Sequence, residues 1–235
     1  MVTFLTKEMA ETLIATKIKN LSLYQKAFTH KSALKEYEQF TESFETLEFI
    51  GDSVLGFVIT KFLFDRYESR QEGFLTKART KLVRGETLAK IALKLGLEQL
   101  VIMDEKGMRN GWNNNPKILE DVFEALIGAI YMDIGLIHAK EFILRIYQDP
   151  DMVDMNSIMV DDNFKDKIMR HCQVNNWELP EYRVVAHHEG LFYIDIYINK
   201  TFCSRGVAKS KKQAEQNAAQ MYFQVLEEVK NYNLN

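Results

Sequence analysis

Two carboxylates lie inside one of the most apolar stretches of this chain. Glu45-Thr-Leu-Glu-Phe-Ile-Gly-Asp-Ser-Val-Leu55 opens a run to Phe64, with apolar residues at 47, 49, 50, 54, 55, 57, 58, 59, 62, 63 and 64. That pattern predicts a helix with almost no polar face, buried nearly all round. Glu48 and Asp52 are four apart, so they stack on one side of the helix about one turn from each other. Two like charges that close in an apolar element cost several kcal/mol unless something positive compensates. The commonest compensator is a Lys or Arg from a neighbouring helix; a divalent cation is the other. A second apolar helix, Ile118 to Met132, carries Asp121 and Glu124 three apart on a shared face. Four carboxylates on two core helices can converge into an all-oxygen cluster, which suits Mg²⁺ or Mn²⁺ and not Zn²⁺.

The elements around these two helices can be read by period and punctuation. Apolar positions from Glu8 to about Ser32 predict one or two helices, and Glu72 to Leu97 predicts two more, separated near Arg84-Gly85. Lys77, Arg79, Lys81 and Arg84 give that region a basic face suited to phosphates. Met103 to Lys117 carries loop chemistry leading into the second acidic helix. Glu120 is expected to point away from Asp121's face and is left out of the ligand set. His30, alone at a helix end, reads as a hydrogen-bonded structural residue.

A proline among acids in Gln148-Asp-Pro-Asp-Met-Val-Asp-Met-Asn-Ser157 marks the best domain boundary. Beyond it, Asn163 to Asn175 reads as a short helix. Glu181 to Ala186, Leu191 to Ile198 and Thr201 to Ala208 alternate like three strands, with a tight turn at Asn199-Lys200. Ser210 to about Val229 is a long helix. Lys200, Arg205, Lys209, Lys211 and Lys212 follow one another with no acid between them. A helix start rich in Lys opposes the dipole unless phosphates lie across it.

Glu45 to Leu55 resembles the signature of ribonuclease III, E-x-L-E-F-[LI]-G-D-[SA]-V-L. The helix of Asp121 and Glu124 resembles that family's D-x-x-E-A-L-[IW]-[GA]-A, and Glu72-Gly-x-Leu-Thr-Lys-x-Arg-x-x-Leu-Val83 resembles its intervening block. Ser210-Lys-Lys-Gln-Ala-Glu-Gln-Asn-Ala-Ala219 resembles the helix start of the double-stranded RNA-binding domain, K-K-x-A-x-x-x-A-A. The resemblance covers nearly the whole chain in the family's order. It implies an α+β class: an all-α ribonuclease III endonuclease domain over 1–148, a linker over 149–160, and an α-β-β-β-α double-stranded RNA-binding domain over 161–230.

The activity so implied is endonucleolytic cleavage of both strands of double-stranded RNA. The ends would be 5′-phosphate and 3′-hydroxyl with two-nucleotide 3′ overhangs, as in RNA processing or degradation. Two divalent ions about 4 Å apart can activate water, neutralise the phosphoryl group and stabilise the leaving oxygen. The resemblance assigns Glu48, Asp52, Asp121 and Glu124 to metal, with Asp52 and Glu124 catalytic, and Mg²⁺ as the ion, Mn²⁺ able to substitute. It places Glu45 and Glu72 near the cleft and Phe49 at the interface of a homodimer. RNA would be held by Lys209, Lys211, Lys212 and Arg170. Two departures weaken groove contacts: the loop at 187–192 is short and lacks a proline, and Met169 and Arg170 stand where Gln or Glu is usual. The rival reading is a non-cleaving protein that sequesters double-stranded RNA; it predicts loss of a metal carboxylate, and none is lost.

Composition limits the remaining classes. With 235 residues, 46% hydrophobic and 27% charged, the chain can build one or two real cores. No apolar run suggests a membrane span, and the start lacks a signal-like pattern, so a cytoplasmic protein without membrane contact is expected. No small-molecule cofactor is implied. Cys172 and Cys203 fit no metal pattern and are expected as free thiols. The net charge of −3 is unusual for a nucleic-acid binder and conceals the local basic clusters.

Overall fold

The computed structural model describes residues 4–155 and 163–232. The chain divides into two compact units, residues 1–159 and 160–235. Part of the expected linker, residues 156–160, lies outside the described residues.

The first unit is helical: α1 (Lys7–Ile14), α2 (Leu21–Ala27), α3 (Glu45–Arg66), α4 (Glu72–Leu82), α5 (Gly85–Lys94), α6 (Glu105–Arg109), α7 (Pro116–Ile134) and α8 (Leu136–Gln148). The helix starts follow local chemistry. Glu45 and Glu48 occupy the first turn of α3, where carboxylates complement the dipole. At α7, Asn115 accepts from the Lys117 N–H, and Pro116 occupies the first turn without a lost hydrogen bond. The stretch from 103 to 117, expected as loop, contains the five-residue helix α6, capped by Asp104 accepting from the Gly107 N–H.

Helix α3 corrects the expectation that it is buried nearly all round. It buries Leu47, Gly51, Val54, Leu55, Val58, Ile59 and Leu63, yet Phe49, Phe57 and Phe64 are 77%, 60% and 61% exposed. An apolar helix surface can face another subunit as well as a core, and periodicity does not distinguish the two. Helix α7 is the element enclosed on all sides, with every residue from Val122 to Ile130 buried. His30 has the structural role expected of it: its side chain accepts from the Ser32 N–H and caps a short 3-10 turn at Lys31–Lys35.

In the second unit α9 (Phe164–Val174) precedes β1 (Glu181–His188), β2 (Leu191–Ile198), β3 (Thr201–Ala208) and α10 (Lys211–Tyr232). The sheet is antiparallel in the order β1-β2-β3. Both hairpins turn on two residues with positive φ, Glu189-Gly190 (51° and 73°) and Asn199-Lys200 (49° and 65°), matching the twist of the flanking strands. The first of these turns leaves no projecting loop, as the sequence suggested. Ile168, Cys172, Ile196, Ile198, Ala218, Ala219 and Tyr222 form a separate core. Both cysteines are free.

Candidate functional site

Helices α3 and α7 cross with their backbones in contact. A Cβ on Gly51 would lie 1.8 Å from the Glu124 carbonyl oxygen, and one on Gly128 would lie 2.1 Å from the Leu47 carbonyl oxygen. Glycine is therefore required on both sides of the crossing. This approach brings acids of the two helices together: ligand oxygens of Glu48, Asp121 and Glu124 lie within 4.8 Å of one another. Asp52 is not in that tight group but lines the same cleft, with Glu45, Phe49, Lys117 and Glu120, in a volume of about 540 Å³.

The electrostatics record a shortage of positive charge. Glu124 is only 6% exposed. Its pKa is pushed up to about 8, first by burial, then by Asp52, Glu120 and Glu48, with Lys117 pulling the other way. Glu48 is also raised, by burial and then by Asp121. The Lys117 ammonium lies 2.6 Å from Asp121 Oδ1, and that ion pair raises the lysine above its ordinary value. One lysine does not offset these acids. A set of oxygen donors with surplus negative charge fits a hard divalent cation.

Glu120 corrects the sequence reading. It lines the cleft and helps raise Glu124, because 120 and 124 are one helical turn apart. Lys117 was missed as a cleft residue; its signal was the i, i+3 and i, i+4 spacing to Glu120 and Asp121. Glu45 reaches the cleft and is paired with Lys31 at 3.1 Å. Glu72 opens α4, where its carboxylate accepts from Thr76 Oγ1, and it is not among the described residues lining the cleft of a single chain.

The second unit presents its cations differently. Ser210 Oγ accepts from the Gln213 N–H and caps α10, leaving Lys209, Lys211 and Lys212 exposed around the helix start. Arg205 does not join them. It faces Asp195 across the β2–β3 pair and holds that buried carboxylate through two hydrogen bonds of 2.6 and 2.9 Å. Reading along the chain hid this acid, which arrives from the adjacent strand. Arg170 is paired with Asp166 at 2.7 Å.

A family model described as ribonuclease-III-like matches residues 20–150, more than half of the chain. The chain belongs to the ribonuclease III family. A double-stranded RNA binding motif matches residues 164–226 of the same chain. The ribonuclease 3 of Clostridium perfringens is 35% identical over 224 residues, covering 94% of each chain. A protein of Paramecium bursaria Chlorella virus 1 is 44% identical over 219 residues, 92% of this chain and 78% of that one. Among solved structures, the nuclease domain of ribonuclease III from Campylobacter jejuni superposes with a TM-score of 0.55 at 37% identity, covering 60% of this chain and 94% of that one. This ribonuclease III is thus an endoribonuclease with a helical nuclease domain and a C-terminal double-stranded RNA-binding domain, as its sequence blocks led one to expect.

Proposed function

We propose that this ribonuclease III cleaves both strands of double-stranded RNA by metal-assisted hydrolysis at the α3–α7 cleft, with Mg²⁺ as the ion and Mn²⁺ as a substitute. The observation that carries the reading is Glu124: a buried carboxylate whose pKa is pushed up to about 8 by burial and then by the acids around it. Glu48, Asp52, Asp121 and Glu124 would hold the metal, two ions per site by charge balance alone: four carboxylates balance two divalent cations. Bound there, divalent ions supply Lewis acidity for water and neutralise the phosphoryl and leaving oxygens. Glu124 and Asp52 are the residues closest in role to the reacting phosphate, while Glu45 orients the rim through Lys31 and Ser43. The products would carry 5′-phosphates and two-nucleotide 3′ overhangs.

A single cleft cuts one strand, so the reading includes a homodimer. The stripe of Phe49, Phe57 and Phe64 on α3 is the surface offered for it, large exposed apolar patches being typical of interfaces. The Campylobacter jejuni structure is described as concerning a region involved in dimer formation of its nuclease domain. Lys209, Lys211 and Lys212 would contact phosphates together with the start of α10, and Arg170 would do so by leaving Asp166. No helix among the described residues is long and apolar enough to cross a membrane, and a cytoplasmic site of action is proposed. The domains are taken as 1–148 and 161–230, joined by 149–160.

The test is cleavage of an end-labelled duplex of about 30 base pairs, longer than the roughly 16 that one binding domain spans. Metal-dependent cutting of both strands with a two-nucleotide stagger, lost in EDTA and in Glu124→Gln while binding persists, is expected. Binding without cutting in either Mg²⁺ or Mn²⁺ would favour sequestration of double-stranded RNA instead.

A further inference from the structure

Lys117 occupies a position that disfavours a lysine. It is the second residue of α7, where the helix dipole repels cations, and its acids lie C-terminal to it, the weaker order for a helical ion pair. Its ammonium is shared between two carboxylates of different standing. Asp121, whose Oδ1 lies 2.6 Å from the ammonium, is one of the three residues of the tight ligand group; Glu120, whose Oε2 lies at 3.5 Å, is not. The lysine side chain is 64% exposed, whereas the Asp121 side chain is 13% exposed. Glu120 packs against Gly85: a Cβ there would lie 2.4 Å from its Oε2. Its carboxylate therefore rests against the first residue of α5, whose N-terminal end favours a negative charge.

Resting on the reading of this cluster as a divalent-metal site, we propose that Lys117 is a tethered counter-ion, neutralising Asp121 in the metal-free enzyme and passing to Glu120 when a divalent ion takes Asp121. Metal and ammonium then compete for one carboxylate. Glu120 is a positioning residue: it lowers the cost of releasing Lys117 by giving the displaced cation a fixed acceptor, and so acts on metal affinity through the lysine.

The experiment is Mn²⁺ binding to the full chain without RNA, followed by electron paramagnetic resonance of the free ion. Lys117→Met should bind Mn²⁺ roughly tenfold tighter, equivalent to about 1.4 kcal/mol, while Lys117→Arg, which keeps the charge, should stay within about twofold of wild type. Glu120→Gln should weaken binding, and by more in the wild-type background than in Lys117→Met. Simple screening predicts the reverse order, since Glu120 is less neutralised once the lysine is gone; the double-mutant cycle separates the two. Unchanged or weaker binding by Lys117→Met, or the reverse order in the cycle, overturns the proposal. Glu124→Gln distinguishes the levels of failure. If it leaves Mn²⁺ binding intact, the metal reading falls and this inference with it. If it weakens binding while Lys117→Met changes nothing, only the counter-ion role falls.

Discussion

At the α3–α7 crossing, Gly51 lies against the Glu124 backbone, and the contact buries a carboxylate among other acids. At the contact of β3 with α10, Gly206 lies against Ala214 and Ala218, where a Cβ would come within 2.2 Å of backbone atoms, and the helix leaves its lysines in solvent. The same device, a glycine that admits a helix backbone, thus serves opposite electrostatic ends. In the nuclease unit close packing buries Glu124 beside half-buried Glu48 and Asp121, where water screens their charges less, so the charge demands a specific partner. In the RNA-binding unit the core is mostly apolar, its buried carboxylate Asp195 is already neutralised by Arg205, and exposed cations of the kind left around α10 would act on any phosphate backbone through a long-range, salt-screened field. Chemistry needs the first arrangement and shape-tolerant binding the second.

Substitutions can break this contrast from either side. The largest expected effect is at the buried charge: Glu124→Gln should lower the cleavage rate by about 10³-fold or more, the loss of several kcal/mol of metal-dependent stabilisation, with duplex affinity retained in a filter-binding assay. Next come the glycines. Gly51→Ala must push α3 from α7, costing about 1–3 kcal/mol and most of the activity. Gly206→Ala should lower the melting of the RNA-binding unit and spare single-turnover cleavage at saturating enzyme. Equal loss of cleavage in both variants would mean that the crossing has no special role in placing the acids.

A pH titration sharpens the comparison further. The Glu124 carboxyl is raised from 4.5 to about 8 by burial and its acidic neighbours, so between those values the folded state holds a proton that the unfolded chain has lost. Stability of the metal-free protein should therefore be greatest at the acid end of that window and fall as pH rises through it. The slope should flatten in Glu124→Gln, as read by thermal melting in EDTA. A metal-free melting temperature that climbs from pH 5 to 8 would contradict the burial argument.

At the exposed side the effects are smaller. Lys211→Ala and Lys212→Ala should each weaken duplex binding modestly and reduce the slope of log affinity against log salt by about one. Arg205→Lys should leave that slope unchanged, because Arg205 is engaged with Asp195. A drop in slope for Arg205→Lys equal to that of the lysines would return it to the RNA-binding set.

Much of this was legible along the chain. The spacings of Glu48 with Asp52 and of Asp121 with Glu124 are helical properties, and helix periodicity is local. So are the two-residue hairpin turns, which Glu189-Gly190 and Asn199-Lys200 satisfy with positive φ. What failed was whatever depended on a neighbour from elsewhere. The exposure of Phe57 and Phe64, the neutralisation of Arg205 by Asp195, and the entry of Glu120 and Lys117 into the cleft each turn on what lies across an interface. The sequence alone therefore determined the family, the elements apart from the short helix α6, and the pairs of acids on each helix. Only the tertiary structure decided that Gly51 and Gly128 let Glu48 meet Asp121 and Glu124 while Asp52 lines the same cleft outside that group, because whether like charges share one site is set by how closely two backbones approach.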